Sequence, residues 1–264
     1  VVVFGNTATT PTIVFTNAGT ISGSASTANH VLDFSSFQNT VQITNSGTIS
    51  SSGTNAIIGT VAAEAGMSFT NSGSIASFGA NAVEMGGFGG NVNFTNSGAI
   101  SSGGEHAVHL TGGDNIQFTN SGTISATGSE AVFLQGAIEG AHVFTNSGTI
   151  SSGGTAFRVT QGAPVATPTY QLTNSGTIST SGTGLAVDFT GLPVTLVSTG
   201  SVTSAGATAM RVGTGSTITI GGKVQAAGAN PIALALEGTA SQITLNEGAR
   251  LLGDISALDG TNTW

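Results

Sequence analysis

Wherever Ala is followed by the pattern apolar-x-apolar, as in Ala82-Val83-Glu84-Met85 and Ala107-Val108-His109-Leu110, position x is where reactive side chains collect. In chain order the x residues are Asp33, Ile58, Glu84, His109, Phe133, Arg158, Asp188, Arg211 and Ala235. Cleavage of a glycosidic bond needs two carboxyl groups roughly 5–9.5 Å apart, one as acid and one as base or nucleophile. For that chemistry Glu84, Glu130 and Asp188 are the residues to mutate first. No two acids, however, occupy neighbouring x positions. Glu84 is followed by His109, and Arg158, Asp188 and Arg211 alternate in sign, which keeps like charges from stacking. The rank is therefore expected to be a row of solvated ion pairs, each contributing about 0.2–1 kcal/mol.

His106 and Glu130 stand in equivalent places just before the Ala, so Glu84, His106, His109 and Glu130 are candidates for a small polar patch. A metal requires three or four ligands on one point, and strand alternation is expected to send His106 and His109 to different environments. Gly112-Gly113-Asp114 matches a fragment of a calcium-binding nonapeptide, but the nine-residue period is missing. No Gly-x-Ser-x-Gly elbow with following Asp and His partners occurs, nor a phosphate-binding Gly-x-x-x-x-Gly-Lys-Ser/Thr, and Gly221-Gly222-Lys223 reads as a strand bend. Phe88, Phe133, Tyr170 and Trp264 are the aromatic residues left over as surfaces on which sugars stack, with packing as the competing reading. The sequence assigns no catalytic, cofactor-binding or metal-binding residue.

The chain of 264 residues contains 16 Asp, Glu, Lys and Arg, far fewer than the usual quarter of a soluble protein. With 38% hydrophobic residues it still has material for a core, so wholesale disorder is not expected. A net charge of -8 repels phosphate backbones and anionic headgroups, so nucleic acid is not an expected partner. Lack of Cys removes disulfides and thiol chemistry, and no apolar run is long enough for a membrane helix. Beginning Val1-Val2-Val3-Phe4, the chain reads as processed or excised.

The positioning elements come from a repeat. Phe-Thr-Asn-Ser-Gly-Thr-Ile-Ser returns with first-residue anchors at Phe15, Ile43, Phe69, Phe94, Phe118, Phe144 and Leu172, and degenerate copies are anchored at Leu196, Ile220 and Leu245. Apolar residues alternate with period two, and no helical stripe with caps is found. The 24–28-residue spacing predicts about ten turns of an all-β, right-handed parallel β-solenoid (β-helix) with three short strands per turn. One continuous solenoid spans 1–264, with regular turns over 1–195 and degenerate turns over 196–264. The Asn residues from Asn17 through Asn45, Asn71, Asn96, Asn120 and Asn146 to Asn174 predict an internal ladder at one corner. The Thr-Ile-Ser strands expose a hydroxyl array, from Thr20 and Ser22 to Thr177 and Ser179, whose Ala76 and Ala99 spoil an ice-matching lattice. Pro164 and Pro168 mark a bulging loop.

Runs of Thr-Asn-Ser-Gly-Thr-Ile-Ser followed by Gly-x-x-Ala-Val, with the closing Leu252-Gly253-Asp254-Ile255 and Asp259-Gly260-Thr261-Asn262-Thr263, resemble the passenger region of a bacterial autotransporter of the type V secretion class. The resemblance covers the whole chain. It implies a β-helical, Cys-free protein outside a Gram-negative cell, displayed at the outer membrane or released, often as an adhesin. The family's C-terminal membrane barrel is missing from these residues. The expected function is thus a non-enzymatic extracellular stalk or adhesive surface, meeting a host surface, an abiotic surface or a glycan. A self-assembling filament subunit stacking end to end is the alternative, with a polysaccharide-cleaving enzyme or an ice-binding solenoid behind it.

Overall fold

The computed structural model describes residues 2–3, 12–23, 30–35, 40–61, 65–137, 140–162 and 168–257. Each coil contains three strands because its apolar residues alternate over stretches of four to six residues and are then interrupted by corners of Asn, Ser and Gly. Three parallel sheets result. The first runs through ten strands from Ile13–Asn17 to Gln242–Leu245, and the second through ten from Thr20–Gly23 to Arg250–Leu252. The third has eleven, from Val2–Val3 to Asp254–Ala257. Every strand between the ends of a sheet pairs with its equivalents in the coils above and below, and the described residues contain no helix. The molecule is a β-solenoid of about nine complete turns.

Register stacks like on like. Phe69, Phe94, Phe118 and Phe144 are successive partners in the first sheet. The rings of Phe69 and Phe94 lie 4.6 Å apart at 2°, those of Phe94 and Phe118 4.9 Å apart at 5°. Parallel strands about 4.8 Å apart leave a ring little choice but to lie flat on its neighbour. Ile from each Thr-Ile-Ser strand and Ala from each third strand complete a continuous core, with Ala82, Ala107, Ala131, Ala156 and Ala186 fully buried.

Two corners are held by buried polar columns. From Asn17 to Asn174 each ladder amide donates from Nδ2 to the Oδ1 of the next Asn at 2.8 Å. The ladder ends on the hydroxyl of Ser198, 3.2 Å from Asn174. A second column, not among the sequence expectations, lies at the opposite end of the Thr-Ile-Ser strand. Ser77, Ser102 and Ser204 are buried there and donate to the carbonyls of Thr54, Ala80 and Gly184 at 2.8, 2.7 and 2.8 Å. Strand alternation explains it, because the residue two after the buried Ile points inward again.

Two anchors need correction. Leu196 pairs with Ile218, which pairs with Ile243, whereas Ile220 and Leu245 continue the column of Ser198. The degenerate coils are therefore shifted by two residues from the expected alignment. With period two, Ile218 and Ile220 both face inward, and without an Asn the sequence holds no mark of which one is the anchor. The loop around Pro164 lies outside the described residues.

Candidate functional site

The third sheet carries the x rank in the expected register. Glu84 pairs with His109, His109 with Phe133, Phe133 with Arg158, Arg158 with Asp188, and Asp188 with Arg211, which precedes Ala235. At the other end Asp33 pairs with Ile58 and Ile58 with Glu84. The corner residues before each Ala form a second polar column, in which Asn81 accepts the backbone N–H of His106 at 2.8 Å. Where the two columns meet, His106, His109, Glu130, Phe133, Arg158 and Asp188 form one cluster.

Glu130 is its centre. Oε2 lies 3.1 Å from Nδ1 of His106, a contact whose angle falls short of a straight hydrogen bond, and it accepts from the Ser129 hydroxyl. Oε1 accepts from the Arg158 guanidinium at 3.2 Å. Arg158 also approaches Asp188, Nε to Oδ2 at 3.4 Å, and Asp188 accepts from the backbone N–H and hydroxyl of Thr190. Around these groups His109 lies flat on Phe133, with ring centres 5.0 Å apart at 5°, and Arg158 covers Phe133 from 5.4 Å. His109 Nε2 and Gln135 Oε1 are 3.2 Å apart. Glu84 accepts from Asn55 and Asn81 beside a depression of about 210 Å³ that Gly59, Gly86 and Gly87 help to line.

Four expectations are corrected here. His106 and His109 share one environment, with ring centres 5.0 Å apart, because His106 lies in the bend before the strand, where alternation does not apply. The pairs are solvated on one side only: the Asp188 side chain in the rank and the Glu130 side chain at the corner beside it are 10% and 12% exposed, whereas the Arg158 and Arg211 side chains are 40% and 37% exposed. Arg211 approaches Glu237, at 3.7 Å, so the pairing does not alternate simply up the rank. Phe88 and Tyr170 are buried and offer no face to a sugar, while Trp264 lies outside the described residues. Phe133 is half-buried, and the faces it would present to a sugar are occupied by His109 and Arg158. Gly112 and Gly113 take φ of 86° and 101°, so the Gly112-Gly113-Asp114 segment is a bend at a strand end. Among the described residues, no group of three or more His, Asp or Glu side chains is placed to hold a metal ion.

Sequence reading found the rank but missed Ser129, Gln135, Thr190 and Glu237 as partners. Ser129 and Thr190 lie in bends that carry no repeat, whereas Gln135 lies two residues beyond Phe133 on the same strand, where alternation returns it to the outward face.

Contact with His106, then the Ser129 and Arg158 hydrogen bonds, holds the Glu130 carboxyl at about 2, against 4.5 ordinarily, and outweighs its burial. Burial, reinforced by the charge of His106, lowers the pKa of His109 despite the opposing Gln135 hydrogen bond. A depressed carboxyl stabilises the fold above its unfolded value and loses that contribution as pH falls toward 2. His109 has the same sign, since the unfolded chain binds its proton more readily. We predict that urea midpoints of the wild type decline from pH 5 to pH 3 more steeply than those of Glu130→Gln. The difference should be on the order of 1 kcal/mol once solvent screening is allowed for. Parallel declines would exclude Glu130 as the acid-sensitive group.

The cluster thus fastens adjacent coils to one another and leaves water a row of half-covered polar edges. The comparison with protein-family models, curated proteins and solved structures finds no match to this chain.

Proposed function

We propose that this chain is the rigid β-helical region of a non-enzymatic extracellular protein, a stalk or adhesive surface of the autotransporter passenger type displayed by a Gram-negative cell. The observation that supports this reading is the parallel stacking of three sheets, coil on coil, with an internal Asn ladder. Such a rod resists bending, because the three strands of a coil are hydrogen-bonded to their equivalents in the next. Its ion pairs tie Glu130, Asp188 and Glu237 to His106, Arg158 and Arg211. Glu130, the carboxyl best placed for chemistry, has its oxygens engaged by His106, Ser129 and Arg158. A carboxylate held in this way is a poor proton donor at neutral pH.

The purified chain should bind to one or more members of a panel of glycans, cultured host cells and abiotic surfaces without consuming them. Release of reducing ends from a glycan, abolished in Glu84→Gln, Glu130→Gln or Asp188→Asn, would overturn the proposal in favour of a polysaccharide-cleaving enzyme.

A further inference from the structure

We propose that two copies of this chain associate side by side and antiparallel through the Thr-Ile-Ser sheet, each inserting Phe78 into a groove around Gly153 of the other. Phe78 is 70% exposed, an unusual state for a large aromatic residue, and most of the described Phe rings are buried in the core. It stands at the corner that follows the hydroxyl strand. Backbone hydrogen bonds trace that corner column from Phe78 through Gly103 and Thr127 to Gly153, three coils on. There a groove of about 330 Å³ opens between Thr127 and Ser181, and Gly153 contributes no side chain to fill it.

Knob and groove therefore share one edge of one sheet, separated along the rod by roughly 14 Å at about 4.8 Å per coil. A two-fold axis lying across the sheet midway between them places each Phe78 over the other copy's groove at once. That is the closed, self-complementary contact of an isologous dimer. A parallel pair, its axis along the rod, would instead set the two Phe78 side chains level with each other at opposite edges of the sheet and leave both grooves empty.

The surface between them suits a second copy. From Thr20–Gly23 to Ser201–Ser204, eight strands present two outward positions each, and all are Ser, Thr or Ala. Charge enters this sheet at Lys223 and Arg250, in the two strands beyond. Two molecules of net charge -8 can meet here without apposing like charges. Hydroxyls donate and accept, so one such face can satisfy another. Register shifts are absent from this sheet's pairings. Eight strands of four residues cover about 500 Å² on each copy, near 1,000 Å² together, at the threshold of a specific interface. This inference holds whether or not the rod is displayed on a cell.

Sedimentation velocity of the full chain over a concentration series tests it. The wild type should pass from monomer to dimer, and Phe78→Ser and Ser151→Lys should each raise the dimer Kd tenfold or more. Val14→Ser, which removes an exposed apolar residue from the first sheet, should leave it unchanged. A photo-crosslinking amino acid at position 78 should join residues 125–127, 151–153 or 179–181 of the second copy. A monomer at every concentration, a dimer indifferent to Phe78→Ser, or crosslinks from position 78 to other surfaces would each overturn the proposal.

Discussion

Asn96→Ala is expected to destabilise the solenoid by about 3–5 kcal/mol, because it orphans partners on both sides. Asn96 accepts from Asn71 and donates to Asn120, each at 2.8 Å, and its amide also reaches the carbonyls of Gly98 at 3.2 Å and Thr123 at 3.3 Å. All three ladder residues are fully buried, so water cannot replace what is lost. Asn174→Ala should cost less, since its onward contacts, to Ser198, Gly176 and Ser201, are 3.2, 3.4 and 3.5 Å long. Urea unfolding followed by circular dichroism measures the two costs, and hydrogen exchange shows whether coils adjoining Asn96 open first, as a chain of nearest-neighbour units requires. A loss below about 1 kcal/mol for Asn96→Ala would mean that backbone pairing alone holds this corner.

Gly122→Ala should be at least as damaging, for a different reason. A Cβ built on Gly122 would lie 2.1 Å from the carbonyl oxygen of Gly98 in the coil before it, and 2.6 Å from the backbone carbon of Ser97. These are backbone atoms fixed by the ladder below, so the new methyl group has no flexible neighbour to displace. Gly73, Gly98, Gly148, Gly176 and Gly200 repeat the same approach. The glycine is required by the closeness of successive coils. We expect a loss of about 3 kcal/mol or more, at the upper end of overpacking costs, and local exchange of the amides of residues 121–123. Gly19→Ala is the matched control, since a Cβ there meets nothing within 4 Å, and it should be nearly neutral. Equal stability of Gly122→Ala and wild type would show that the coils part more easily than their hydrogen bonding implies.

Much of the architecture was legible because a solenoid converts sequence period directly into contact. Phe69, Phe94 and Phe118 are spaced one coil apart, and one coil is also the distance to the nearest strand partner. The same rule lined up Glu84, His109, Phe133 and Arg158 before any coordinates. It failed at Ile220 and Leu245: Ile218 and Ile220 both face inward, Leu245 stands exposed two residues beyond the buried Ile243, and no Asn marks the register in either strand.

What the amino-acid sequence determined by itself was which residues stack and which face inward, since both follow from a repeat length and a period of two. The tertiary structure alone decided what the corners do: that His106 turns back beside His109, that Glu130 is enclosed by His106 and Arg158, and that Phe78 stands out in the same column as Gly153. Strands obey alternation, but a bend sets its side chains by local φ and ψ and by the coil beneath it, and neither is encoded in a repeat count.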